Sequence, residues 1–298
     1  MTSTNHHRDR ELQAEARAWA TFTGANYTAA LRQLNTPAAQ GLLGPRVSPR
    51  HLIATLSEHP VIGSRGGEAV LREHGMTVSG QNDDGPAWAF NGHDDFVQLA
   101  LITDTLRMFG PVVHGAAPEV GSYSAKHTVE RILHDSVSYV SNGRLIWAAA
   151  ALGLTLSPRE LDSPNVKIGL PPLEHNYARS LVTPGAQLPS ADHHRPAGYG
   201  ALTLRLQQLA AGQPIDPRWI PIAKRPVAHA FSDWLRAQSE RDDPIGDLAR
   251  DYAAGLDDSA HRIAETPEEL LAILDEVGCS LRVYEVAQAA GVEWNNGN

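Results

Sequence analysis

Fourteen histidines in a chain of 298 residues raise the question of a metal site first. Neutral imidazoles and carboxylates brought together are what a divalent cation needs. His93-Asp94 offers one such pair, with His51 or His59 upstream and Asp104 or Asp135 downstream as further ligands. The structural alternative is Asp94 as an acid at the positive end of a helix. There is no His-Glu-x-x-His. One cysteine, Cys279, makes neither an intrachain disulfide nor a cysteine zinc cage. His6-His7 and His193-His194 fall in a polar tail and a linker-like stretch, and read as solvated. No metal or other cofactor is expected.

A second group, Lys126, His127 and Glu130, falls within two turns of one predicted helix. Lys126 and Glu130 are spaced to pair. His127 is a candidate general acid or base, although no nucleophile or oxyanion device accompanies it. The amides of Asn142-Gly143 open a helix and suit either an anion or simple capping. Ser64-Arg65-Gly66-Gly67 is a flexible turn with one basic residue. Ala149-x-x-x-Gly153 and Ala287-x-x-x-Gly291 have the spacing of a helix-turn-helix turn, but neither precedes a clear recognition helix. A nucleic-acid face would need Lys126, Arg131 and Arg144 on one surface. The net charge of −9 opposes phosphate.

These residues need helices to position them. Apolar residues recur at helical spacing over most of the chain, which predicts a mainly α fold. Stripes run from about Arg8 to Thr23, from Tyr27 to Leu34, from Pro49 behind the Ser48 cap, from Asp94-Asp95 to Leu106 and from Ser124 to Ser138. The segment 67–74 also reads as a short helix, and 75–92 as a loop. Ser141 caps a helix that is apolar on nearly all sides between Leu145 and Leu152, the mark of a central, buried helix. Val166-Lys167-Ile168 reads as a short strand. Residues 184–198 read as a linker, and a helix around Leu202–Ala210 follows. With aromatics at 6%, aliphatic residues and alanine are expected to fill most of the core.

The pattern divides the chain into an N-terminal multi-helix domain over 1–212, with a subdivision near 110–122, a Pro-rich linker over 213–225 and a C-terminal domain over 226–298. The last domain carries four helical stripes: Phe231, Trp234 and Leu235; Ile245, Leu248 and Tyr252; Leu270 to Val277 behind a Thr266-Pro267-Glu268-Glu269 capping box; and Leu281 to Ala290, ended by Gly291. The abundance of Arg, Ala, Gly and Pro over Lys is of the kind GC-rich bacterial genomes produce. The polar N-terminus and the lack of a long apolar run point to a cytoplasmic protein without a membrane partner.

Phe231-Ser-Asp-Trp-Leu, then Asp243-Pro-Ile-Gly-Asp-Leu-Ala249, resembles the opening of the YozE SAM-like family. The resemblance covers about residues 226–291 and implies a small four-helix SAM-like bundle with no established enzymatic activity. Binding of nucleic acid or protein is inferred for that family from its fold. Here Asp233, Glu240, Asp242, Asp243, Asp247, Asp251, Asp257 and Asp258 crowd the domain; they favour a basic protein partner over phosphate, the structural alternative being helix caps and a solvated face. Trp234, Asp242, Asp243 and Asp247 are the candidate contacts. The expected function is therefore a non-enzymatic adaptor or regulator, of bacterial or phage origin, that binds a protein. One alternative is a DNA-binding protein of a mobile element, using Lys126, Arg131 and Arg144. The other is a metal-dependent phosphohydrolase resembling the HD type, built on His59, His93 and Asp94.

Overall fold

A computed structural model describes residues 3–64, 70–76, 87–110, 117–158, 160, 163–215 and 229–297, with side chains from residue 10 onward. The expected turn at 65–67, the start of the 67–74 segment, the centre of the 110–122 subdivision and most of the 213–225 linker lie outside these residues, as do the His6 and His7 side chains. The protein is mainly helical: twelve α-helices are described, beside two tiny two-stranded sheets. Met1–Val182 and Pro196–Ala223 cluster into one compact unit, Thr183–Arg195 and Lys224–Asn298 into a second.

The first unit opens with α1 (Ser3–Thr23) and α2 (Tyr27–Asn35), the latter capped by Asn26, whose side chain accepts from Ala29 N. Ser48 caps α3 (Pro49–Glu58), with proline at the first turn. Leu71–Arg72 (β1) and Gly75–Met76 (β2) then pair antiparallel. A helix was expected here, but Gly75 takes a φ of +118°, which favours a reversal at 73–75 over another helical turn. Next come α4 (Asp95–Arg107), β3 (Val120–Gly121), α5 (Ser122–Ile132) and α6 (Asn142–Ala151). α5 stops six residues short of the expected Ser138, because Glu130 Oε1 accepts from Val140 N at 3.1 Å and folds the chain back across its last turn. β4 (Lys167–Ile168) pairs with β3 in the register Val120↔Ile168. α7 (Pro172–Val182) was not among the expected helices; it opens on proline, which is suited to a first helical turn. α8 (Tyr199–Ala210) completes this unit.

α6 is the hub. All ten of its residues are buried, and α3, α4, α5 and the β1–β2 hairpin pack around it. Trp147 on α6 lies among Trp19, Phe22 and Trp88, and its Nε1 donates to Leu52 O at 2.8 Å. Few as the aromatics are, they gather here with Phe90 and Phe96 rather than being diluted among aliphatics. The start of α6 meets the hairpin closely, with Gly143 N donating to Glu73 O at 2.9 Å. The first-turn amides are thus consumed by capping and packing rather than offered to an anion.

The second unit holds α9 (Ala230–Ala237), α10 (Pro244–Asp257), α11 (Pro267–Glu276) and α12 (Leu281–Gly297) around Phe231, Leu235, Ala249, Leu270 and Ala287. α12 runs through Gly291 instead of ending there, because Ala287, Ala290 and Gly291 lie buried in its seam with the other helices. Ala287 and Gly291 therefore frame no helix-turn-helix turn. Gly153, with φ +72°, does end α6, and no helix begins directly after it. The supposed linker docks on this unit: Ser190 N and Ala191 N both donate to Ser259 O at 2.8 Å. Among the described residues no helix is long and apolar enough to cross a membrane.

A Cβ on Gly143 would lie 1.9 Å from Arg72 O and 2.7 Å from Glu73 O, both backbone atoms. Gly143→Ala is expected to cost about 1–3 kcal/mol through overpacking. Gly200→Ala, on the open face of α8, should be neutral or slightly stabilising. Chemical denaturation of both variants checks the contrast.

Candidate functional site

The groups singled out by chemistry separate into three places. Arg144, a proposed nucleic-acid contact, is 5% exposed. Its guanidinium meets Asp95 Oδ1 at 3.1 Å and Glu73 Oε1 at 3.2 Å, and donates to Gln98 Oε1 at 2.6 Å and Ala89 O at 3.0 Å. It also stands over the Phe90 ring. Asp95 is wholly buried and accepts from the amides of Asn91 and Gly92 as well. This guanidinium is an internal brace from α6 to α4 and the hairpin, and no phosphate reaches it.

Lys126 is likewise 5% exposed. Its ammonium pairs with Glu130 Oε2 at 3.0 Å and lies 4.5 Å from the centre of the Tyr139 ring. His127 Nδ1 meets the same oxygen at 3.1 Å, and Tyr123 packs edge-on against the imidazole. Burial alone would raise the Glu130 carboxyl. The hydrogen bonds from Lys126 and Val140 N, with the Lys126 charge, outweigh it and hold the carboxyl below its ordinary value. Glu130 is thus a shared anchor that orients a half-exposed His127. Arg131, exposed one residue on, joins no basic surface with the buried Lys126 and Arg144.

The proposed metal ligands do not converge. Among the described residues no group of three His, Cys, Asp or Glu could hold a metal ion. His59 Nδ1 accepts from the amides of Val61 and Ile62, and burial lowers its pKa. His51 Nε2 contacts Ala151 O, and His93 is exposed. Asp94 is held by Asn91 Nδ2 and Gln98 Nε2. Asp104 accepts from Leu42 N and Leu43 N at 2.6 and 3.1 Å, and its burial pushes the carboxyl above the usual range. Asp135 pairs with exposed His134.

One buried titratable group escaped sequence reasoning. His175 on α7 is 3% exposed, with Nε2 3.2 Å from Thr128 Oγ1 and the Phe109 ring beside it. Burial, helped by the Arg179 charge, lowers its pKa to about 4. No sequence spacing marks it, since its partners come from α5 and from the end of α4.

The candidate contacts of the second unit divide by exposure. Trp234 packs between Phe231 and Trp294. Asp243 is spent on structure: it accepts from Gly246 N as the α10 cap and binds Arg241 at 2.7 Å. Arg241 holds its carboxyl below the usual range. A Cβ on Gly246 would meet Arg241 O at 2.1 Å, so the Asp-Pro-Ile-Gly run is what this helix start demands. Asp242 and Asp247 remain on the surface, Asp247 paired with Arg250. Sequence reading missed the apolar exposures: Val277 at 57% and Leu281 at 75% flank the α11–α12 turn, and Val292 follows on α12.

Charge separates the two ends of the chain. Residues 229–297 contain fifteen Asp and Glu against five Arg, a formal −10 beside −9 for the whole chain. Three of those arginines are already paired within the unit: Arg241 with Asp243 and Glu293, Arg250 with Asp247, and Arg262 with Glu276.

The chain matches no family model, no curated protein and no solved structure. The resemblance of residues 226–291 to the YozE SAM-like family therefore rests on the residues quoted for it.

Two measurements follow. Arg144→Met leaves Asp95 buried without its cation and should cost about 3–5 kcal/mol, read by chemical denaturation; adding Asp95→Asn should recover part of the loss. His175 binds its proton more weakly in the folded chain than in the unfolded one. The stability it contributes is present above about pH 6.5 and is lost as pH falls towards 4. The loss is on the order of 3 kcal/mol. His175→Gln should flatten stability against pH between those values.

Proposed function

We propose that this protein is a non-enzymatic adaptor or regulator that binds a protein partner through its acidic C-terminal unit. The partner would present basic side chains around an apolar socket. The observation that carries this reading is the pair of exposed apolar side chains, Val277 and Leu281, at one turn within residues 229–297, whose formal charge is −10. A single exposed leucine on a surface is ordinary. Two at one turn, with Asp275, Glu276 and Glu285 exposed beside them in the chain, combine an apolar contact with a field that attracts a cationic surface.

Two further observations support a protein over a nucleic acid. The acidic field repels phosphate, and Lys126 and Arg144 are committed to internal partners. The YozE-like residues agree with an interaction module. Their role in the fold shifts the expected contact from Trp234 and Asp243, which are occupied, to Asp242, Asp247 and the α11–α12 turn.

Affinity capture with the full chain from a cell lysate tests this, run in parallel with Leu281→Glu and Val277→Glu. The expected result is a protein whose recovery falls about tenfold or more with either variant. Its recovery should also fall as salt rises above about 0.15 M. An identical captured set for all three chains, or capture of nucleic acid alone, would sink the proposal.

A further inference from the structure

A cavity of about 440 Å³ opens beside α1 and the loop that leads into α3. It lies in the first unit, far in sequence from the surface discussed above, and its volume falls within the ~300–1,000 Å³ of small-molecule sites. Glu11, Glu15, Asn35, Gln40, Arg46 and Ser48 supply its polar lining.

Arg46 is the unusual member. It is half-buried, which lowers its pKa against the opposing pull of the Glu15 and Glu11 charges. Its Nη1 donates to Leu34 O at 2.6 Å, at the negative end of α2, and its guanidinium stands 6.0 Å from the centre of the Phe96 ring. Among the described residues no carboxylate comes within ion-pair distance of it, and its remaining N–H groups find no protein acceptor. Arg144, by contrast, is surrounded by acceptors. Glu15 acts on Arg46 through its charge but forms no ion pair with it; its two oxygens accept from Arg50 Nε at 2.6 Å and Arg50 N at 2.9 Å. Glu11 lines the same cavity, feels Arg46 electrostatically and forms no ion pair with it. The cavity therefore holds a separated cation and anion that do not neutralise each other directly.

The remaining lining groups are polar and incompletely used. Asn35 has no side-chain partner among the described residues, Gln40 commits its Nε2 to Leu34 O and keeps its Oε1, and Ser48 accepts from His51 N while its hydroxyl proton stays available. Arg50, outside the lining, pairs with Glu15, which leaves the charges of Glu11 and Arg46 to offset one another. A dianion such as a phosphate would leave Glu11 repelled, and a bare amine would leave Arg46 unmatched.

We propose that this cavity binds a small zwitterion of the amino-acid class, with its carboxylate on the Arg46 guanidinium and its ammonium on Glu11. A planar guanidinium with free N–H groups is suited to grip a carboxylate through two hydrogen bonds. Leu12 and Pro45 supply the apolar walls for a side chain. The site is independent of the proposed protein-binding surface, and either can fail without the other.

The test uses the full chain and the free L-amino acids one at a time, each at millimolar concentration. Each is accompanied by the amine lacking its carboxylate and the acid lacking its ammonium. Thermal unfolding and titration calorimetry are the readouts. At least one amino acid is expected to bind one-to-one and raise the unfolding temperature by mass action, with both truncated probes about tenfold weaker or worse. Arg46→Gln and Glu11→Gln should each weaken binding by about tenfold or more. Because Arg46 also supports Leu34 O, the rim variant Glu11→Gln carries the test if Arg46→Gln folds poorly. The proposal is overturned if no amino acid binds, if either truncated probe binds as well as its parent, or if Glu11→Gln binds unchanged.

Discussion

A charge inside a protein has to be matched in place, and Arg144 sets that constraint for the N-terminal unit. Its guanidinium is almost fully removed from water and rests on Asp95, Glu73, Gln98 and a backbone carbonyl. Stranding one member of such a set is far costlier than the set is stabilising. The start of α4, the β1–β2 hairpin and the start of α6 must therefore arrive together. The hydrophobic core makes the same demand, because α6 is buried along its whole length and every neighbour has to wrap it. The aromatic cluster around Trp147 and the bond from its indole to Leu52 O extend that wrapping to α1 and α3.

The same logic governs which polar residues are free to act outward. Lys126 and Asp104 carry the residue types of functional sites, yet each is consumed internally, Lys126 by Glu130 and the Tyr139 ring and Asp104 by the amides of Leu42 and Leu43. Buried polar groups find internal partners because leaving them unmade is expensive. What remains for function is what the fold leaves over: the exposed apolar turn on an acidic bundle, and an arginine facing a cavity with no carboxylate within ion-pair distance of it. One lies in each unit.

Much of the secondary structure was legible in order of residues. Caps at Asn26, Ser48, Ser141, Asp243 and Thr266 mark helix starts because a side-chain oxygen there accepts a first-turn amide, a strictly local interaction. The apolar stripes that follow give helix type, and the all-apolar run after Ser141 gives the central position of α6. Where reading failed, a distant partner had overridden the local signal. Glu130 catches Val140 N and ends α5 early, Gly291 is absorbed into a helix seam, and residues 184–195 are pinned through Ser259 O instead of running free.

The candidate site divides the same way. Sequence by itself determined a mainly helical chain, a central buried helix, the helix starts and an acidic C-terminal end, since each follows from residue type and near-neighbour spacing. Only the tertiary structure decided which charges are spent and which are available. Arg144 and Arg46 look alike in sequence. One is matched by residues 46 to 71 positions away, the other meets only a carbonyl and an aromatic face. Pairing of that kind depends on distances between segments remote in the chain, and no periodicity or local motif encodes it.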